Sequence, residues 1–410
     1  MAAIRAMLRR SAKLLFGAEG DVAGDSEAQA MTISSAMLAL GVVLLSPLML
    51  DLARVFEVSE ARVGLLITVY TAPPIVLIPI AGVLADRIGR KPLLVGGLLL
   101  FGIGGGAIAF VESFEAALAL RFLQGVGFAA SMPVTVTVLG DLYRGSREAT
   151  VQGIRTAGNF VSNTIGPVVA ALLIALAWQY PFALFLLTIP IAIWIWVVLP
   201  PTAPSSDSSI KGYLLDLFAL IRRPHMALIL LSFGFRFVVF YGFLTYVSFI
   251  GIQTVGVTTV IVGIVTGVKA VGSIVGSTQA GRLTLRAHTA LIAAVAFGLM
   301  AIGMLLPGLA PSLATLLVGA VLLGIGDGVI APVQKSLVTN LAPDELRAGA
   351  VSSSNTLQNT GKAAAPVAMS GILVSGGPPA VFVALGLIGV FATGLLLVVW
   401  RMTIDVDVLV

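Results

Sequence analysis

The residues with the strongest chemical character in this chain sit inside long apolar runs. The acids are Asp51 and Asp327; the bases are Arg121, Arg155, Arg236, Lys269, Lys335 and Lys362. A charged side chain held in hydrocarbon costs about 3 kcal/mol on the gentlest scales, so such residues face a cavity, pair with one another or hold something. Counted from the ends of their runs, Arg236, Lys269, Asp327 and Lys362 fall near the middle. Asp51 falls near one end, and Lys335 near the other, where its long stem can snorkel to water. One aspartate cannot neutralise three central cations. Three readings follow: lysines deprotonated by desolvation, a water-filled cavity around them, or an anionic ligand that completes the set.

Asp327 lies between Gly326 and Gly328 and is the central acid of the sequence. Burial favours its protonated form and a neighbouring cation favours the ionised one, so a shift in that balance would take up or release a proton. With Arg236 as charge partner, Asp327 is a candidate proton-coupling site. A fixed Asp327–Arg236 ion pair joining two helices is the alternative. Arg121 and Asp51 are further coupling candidates, though the end position of Asp51 also suits an ordinary surface carboxylate. Candidate solute contacts are Arg121, Arg236, Lys269, Lys362, Asn159 and Gln358. Tyr70, Asn163, Tyr241, Gln334, Asn355 and Asn359 either line the same space or tie helices together.

These residues need a scaffold, and the composition names its solvent. Of 410 residues, 58% are hydrophobic and 10% charged, against about 25% charged in soluble domains. The mean hydropathy is +1.06. Apolar runs long enough to cross a bilayer occur at 31–53, 62–85, 92–111, 115–140, 148–176, 178–199, 225–249, 256–281, 288–307, 311–340, 346–375 and 378–400. The 45 glycines and 20 prolines suit membrane helices, where neighbours re-satisfy freed backbone groups. Cysteine is absent and there are two histidines. No thiol chemistry, metal centre or cofactor is therefore expected, and no phosphate-binding loop for ATP is visible. The formal charge of +5 does not point to nucleic acid. Arg5, Arg9, Arg10, Lys13, Arg87, Arg90, Lys91, Arg144, Arg147, Lys211, Arg222, Arg223, Arg282, Arg286, Arg347 and Arg401 share one side of the expected topology, and Arg54 and Arg62 the other. That asymmetry places both termini in the cytoplasm. Residues 1–30 form a polar tail, read either as an interfacial amphipathic helix or as a frayed end.

An internal repeat divides the chain. Gly82 and Gly281, Arg87 and Arg286, Gly125 and Gly324, Gly127 and Gly326, Pro133 and Pro332, and Pro167 and Pro366 are each separated by 199 residues. The Pro- and Ser-rich stretch 201–224 links the copies. The expected organisation is an all-α membrane protein of twelve transmembrane helices in two pseudo-symmetric six-helix bundles. The bundles are 31–200 and 225–402, and 403–410 forms a second tail.

Three motifs carry a resemblance. Gly82 to Lys91 reads G-V-L-A-D-R-I-G-R-K and resembles the signature loop of the major facilitator superfamily. Arg121 to Gly127 reads R-F-L-Q-G-V-G and resembles the family's fourth-helix motif. Gly158, Ser162, Gly166 and Pro167 resemble the packing motif of its proton-coupled antiporters, with Ser162 and the pair Ala170–Ala171 replacing glycines. With E-V-S-E-A-R-V-G-L-L entering helix 2, the first half is most similar to the twelve-helix drug:proton antiporter branch.

The resemblance implies a cytoplasmic gate made of Gly82, Asp86, Arg87, Gly89 and Arg90 with Asp141, and Asp86 facing the start of helix 11 around 348–352. The second copy, G-R-L-T-L-R, has Leu285 in place of the acid, so one latch is expected. It implies an Arg121 facing the central cavity; an arginine capped by carbonyls is the alternative. It implies alternating-access export of a small amphipathic or anionic organic solute, driven by protons, in a monomer embedded in the plasma or inner membrane. An organic-anion uniporter or exchanger without protons is the rival. A non-transporting sensor would require a soluble domain or catalytic cluster that the sequence lacks.

Overall fold

The computed structural model describes residues 18–200, 218–343 and 346–403, and every regular element among them is helical. Residues 1–17, most of the expected linker and the tail 404–410 lie outside the described residues. After a short turn of 3-10 helix at Ala18–Gly24, the helices are α1 (Ser26–Val55), α2 (60–88), α3 (Arg90–Phe110), α4 (Phe114–Leu142), α5 (Ser146–Ile174), α6 (Tyr180–Val198), α7 (Pro224–Val255), α8 (Thr259–Thr284), α9 (Thr289–Leu309) and α10 (Leu313–Leu341). The last stretch, Arg347–Thr403, holds 57 residues. At 1.5 Å per residue an unbroken helix of that length would measure about 85 Å, nearly three times the hydrocarbon thickness. It breaks at Gly377, whose φ of 72° is left-handed, just before Pro378 and Pro379. The break gives α11 (347–376) and α12 (378–403), and twelve spans among the described residues.

Local sequence explains the ends. Ser59, Ser113, Thr258 and Ser312 each accept a backbone N–H in the first turn of the helix they precede. Gly89 (φ 92°) and Gly145 (φ 60°) turn the chain between α2 and α3 and between α4 and α5, where other residues would be strained. α1 begins at Ser26, ahead of the apolar run, because Ser26–Ala30 is helix-compatible though too polar for a hydropathy signal.

The repeat is written into backbone contacts as well as residue types. A Cβ at Gly125 would lie 2.3 Å from the Tyr70 carbonyl oxygen, and one at Gly324 would lie 2.2 Å from the Lys269 carbonyl oxygen. Tyr70 and Lys269 are themselves separated by 199. Gly127 likewise abuts the Gly97 carbonyl and Phe101, while Gly326 abuts the Ala296 carbonyl and Met300, again at the same shift. Glycine thus lets α2 touch α4, and α8 touch α10, backbone to backbone.

The halves meet along α5–α8 and α2–α11. A Cβ at Gly263 or Gly267 would come within 2.8 Å of the Pro167 carbonyl or 2.9 Å of the Thr164 carbonyl. Thr68 donates to the Ala363 carbonyl at 3.0 Å. At the end opposite the basic turns, Thr259 donates to Asp51 at 2.8 Å, Gln253 donates to Glu60, and Gly64 rests on Pro366. That end is bonded across the halves.

Candidate functional site

Asp327 is the centre of the ionic cluster. It projects from α10, between two glycines that allow close neighbours: a Cβ at Gly328 would meet the Ser273 carbonyl oxygen at 2.1 Å. Its Oδ1 accepts from Arg236 Nε of α7 at 2.8 Å, and the other branch of the guanidinium reaches the same oxygen at 2.8 Å. Its Oδ2 accepts from Lys269 Nζ of α8 at 2.6 Å and from Ser273 Oγ at 3.4 Å. Asp327, Lys269 and Arg236 are 6%, 4% and 9% exposed, so water screens them little. The Lys269 ammonium also lies 3.5 Å from the centroid of the Phe240 ring. Both readings of Asp327 survive: it is ion-paired, and the pair borders empty space.

That space is a cavity of about 200 Å³ lined by Arg236, Phe237, Phe240, Lys269, Ser273 and Asp327, together with Phe160 and Asn163 of α5. A second cavity, of about 190 Å³, shares Val43, Asn163 and Phe240 with it. Tyr70, Phe128, Met132, Asn159 and Tyr241 form its walls, with Asn359 and Lys362 of α11. Lys362 Nζ donates to Asn359 Oδ1 at 2.9 Å and lies 4.9 Å and 5.8 Å from the ring centroids of Phe237 and Tyr241. No carboxylate among the described residues pairs with it.

Other expected residues are placed elsewhere. Arg121 is fully buried one layer behind the cavity wall, which corrects the expectation that it faces the cavity. Its guanidinium donates to the Gly41 and Leu66 carbonyls, both at 2.9 Å, and to Gln124, and stacks 4.3 Å from the Tyr70 ring centroid. The two carbonyls lie on α1 and α2 and, with Gln124 of α4 itself, take up the charge that a cavity-facing arginine would offer to solute. Arg155 binds Gln152 and Ser35, and Ser35 binds Asn159, so these join α1 to α5. Gln358 binds Asn355 on its own helix at 3.2 Å and does not line either cavity. Asp51 stands at the bonded end with Thr259 and Arg54, apart from Asp327. Gly158 packs on Thr32 and Gly166 on Leu40, while Pro167 meets Gly263; Ser162 lies half-buried between them on α5.

At the basic end, Arg90 forms an ion pair with Asp141, and Lys91 lies 5.0 Å from the Trp196 ring centroid. Gly82 has open space where a Cβ would go, and Arg87 is exposed. The side chain of Asp86 lies outside the described residues.

Sequence reasoning missed Ser273 and the aromatic walls Phe237, Phe240 and Phe128. Ser273 carried a signal: four residues after Lys269, it shares that residue's helix face. Phe240 follows Arg236 by four in the same way and Phe237 adjoins it, but aromatic residues in a membrane helix are too common to single out.

The chain matches the Major Facilitator Superfamily model over residues 31–312 and 253–407. It is similar to the bacillibactin exporter of Bacillus subtilis, 37% identical over 154 residues, covering 36% of this chain and 38% of that one. It is also similar to the multidrug transporter protein MdtP of the same organism, 29% identical over 170 residues, covering 41% of this chain and 31% of that one. The matched stretches thus span about a third of the lengths of these relatives. Among solved structures, a bacterial homologue of the human lysosomal transporter Spinster, inward-facing and unoccupied, superposes with a TM-score of 0.75 at 18% identity, covering 92% of this chain and 97% of that one. With a family match across both halves, twelve apolar helices and a repeat built into its backbone contacts, this chain belongs to the Major Facilitator Superfamily and is a multi-pass membrane protein.

Proposed function

We propose that this protein is a secondary transporter that exports a small amphipathic or anionic organic solute in exchange for protons, by alternating access of the shared cavities to the two faces of the membrane. The observation that carries this reading is Asp327 held between Arg236 and Lys269 at the edge of a cavity between the halves. A protonated Asp327 cannot retain both cations. The released guanidinium and ammonium turn into the cavity beside them, so proton and solute compete for the same space. Export is supported by the exporter and multidrug transporter among the relatives.

The basic end, with Arg90, Lys91, Arg144, Arg147, Arg222, Arg223, Arg282 and Arg286, is assigned to the cytoplasm. There the Arg90–Asp141 pair and the Gly82–Arg90 turn serve as the gate, with Asp86 as its latch. The opposite end is closed by the Asp51–Thr259 and Glu60–Gln253 bonds.

A thermal-shift screen of the purified protein against cationic dyes, aromatic carboxylates and phosphate esters selects a probe. Proteoliposomes with an imposed pH gradient then compare wild type with Asp327→Asn. Loss of uphill transport with probe exchange retained is expected. Full gradient-driven accumulation by the variant would sink the reading. A second reading, anion exchange without protons, is favoured by Lys362, whose charge no carboxylate among the described residues offsets. It predicts exchange indifferent to pH in both proteins.

A further inference from the structure

Resting on the transporter reading above, we infer that the solute is a ring-bearing monoanion, and that it binds in the second cavity, with its anionic group on Lys362. The two cavities differ in what they leave unsatisfied. Arg236 and Lys269 are both engaged by the Asp327 carboxylate at 2.8 Å and 2.6 Å. Lys362 has the amide oxygen of Asn359 and two aromatic faces, none of which carries a full negative charge. A half-buried ammonium beside a low-dielectric space draws an anion strongly.

The rest of the wall completes the description. Tyr70, Phe128, Met132 and Tyr241 offer flat or soft apolar surface, suited to a ring packed edge to face. Asn163 borders both cavities, and its Oδ1 is buried with no hydrogen-bond partner. The volume of about 190 Å³ lies below the 300 Å³ or so at which drug-sized pockets begin. One substituted ring therefore fits the second cavity, and bulkier solutes extend past Val43 and Phe240 into the first. The anion and the ring together set the class: an aromatic carboxylate.

Calorimetry on the full chain in nanodiscs, with no proton gradient, tests this with 3-hydroxybenzoate, benzoate and the neutral 3-hydroxybenzamide. Wild type should bind 3-hydroxybenzoate saturably and the amide about tenfold or more weakly, the loss expected for one charge-assisted contact. Lys362→Met should lower acid affinity to that of the amide and leave the amide unchanged, while Lys362→Arg retains preference for the acid. Benzoate, which keeps the ring and the charge, should bind within a few-fold of 3-hydroxybenzoate. Equal binding of acid and amide by wild type, or no saturable binding of the acid, overturns the inference without any variant. Acid affinity unchanged in Lys362→Met also overturns it. Because the assay has no gradient, loss of uphill flux in Asp327→Asn with this binding pattern intact bears on coupling and leaves the site assignment standing.

Discussion

Displaced by 199 residues, the two halves present equivalent positions to the central space with opposite chemistry. Where the second half has Asp327, Lys269 and Ser273, the first has Phe128, Tyr70 and Pro74. The backbone contacts beneath them are alike: Gly125 rests on the Tyr70 carbonyl as Gly324 rests on that of Lys269. One scaffold therefore supports an apolar wall on one side and an ionic cluster on the other. Packing is stored in small residues that set helix approach, and function in the side chains those helices display. The first half adds two amides to this space, Asn159 and Asn163; Asn163 is the repeat mate of Lys362, and both of these line the second cavity.

This comparison can be broken most decisively at its charged member. Lys269→Met leaves Asp327 with Arg236 and should abolish gradient-driven transport in proteoliposomes, while Tyr70→Phe, at the mate position, keeps it. Equal loss in both would assign the coupling to helix packing and remove the functional asymmetry.

The next largest effect is on binding. Competition for space predicts that affinity for a bulkier aromatic carboxylate, one that extends into the first cavity, falls about fivefold or more when Asp327 is neutralised. Asp327→Asn should bind weakly at every pH. Electrostatics alone has the opposite sign: neutralising Asp327 beside Arg236, Lys269 and Lys362 raises the local positive charge and tightens an anion. Calorimetry across pH decides, and tightening at low pH would replace exchange with co-transport.

The shared packing should show in stability. Gly125→Ala and Gly324→Ala each press a methyl group against a carbonyl oxygen, at 2.3 Å and 2.2 Å. Each should destabilise by about 1–3 kcal/mol in thermal unfolding. Gly324→Ala alone should impair proton coupling, because it displaces Lys269. Coupling loss in Gly125→Ala as well would show that the halves share the task.

The smallest effect lies outside the cavity. Tyr143, at the basic end of α4, donates to Asp25 at 3.2 Å. Burial, then the Asp25 charge, pushes its phenol above the usual tyrosine range. Because the folded value exceeds the unfolded value of about 10, this contribution is constant below that pH and is lost above it. Tyr143→Phe should lower stability by about 0.5–1 kcal/mol, by the same amount at neutral and mildly alkaline pH. A difference between those two conditions would show that the phenol titrates earlier.

Much of the scaffold was legible because lipid imposes a simple rule: spans must be long, apolar and helical. The break between α11 and α12 was readable from Gly377, Pro378 and Pro379, whose backbone preferences end a helix whatever surrounds them. The cavity was legible in part. Lys269, Arg236, Asp327 and Lys362 stood out because charge in an apolar run demands a partner. Which partner each takes depends on rotation about helix axes, and hydropathy does not encode it. Arg121 shows this: its sequence neighbours match a cavity-facing motif, yet the carbonyls of Gly41 and Leu66, on other helices, claim its guanidinium. The surplus cation near the midplane was visible, whereas the choice of Lys362 over Lys269 as the unoccupied one required coordinates.

Under the proposed exchange, the uncompensated charge of Lys362 has an energetic consequence at the membrane. If one proton enters as one monoanion leaves, two elementary charges move inward in each cycle. A membrane potential of about 100 mV, negative inside, then contributes about 2.3 kcal/mol for each of them. That is on the order of a thousandfold concentration ratio for the two together, available even when the pH is the same on both sides.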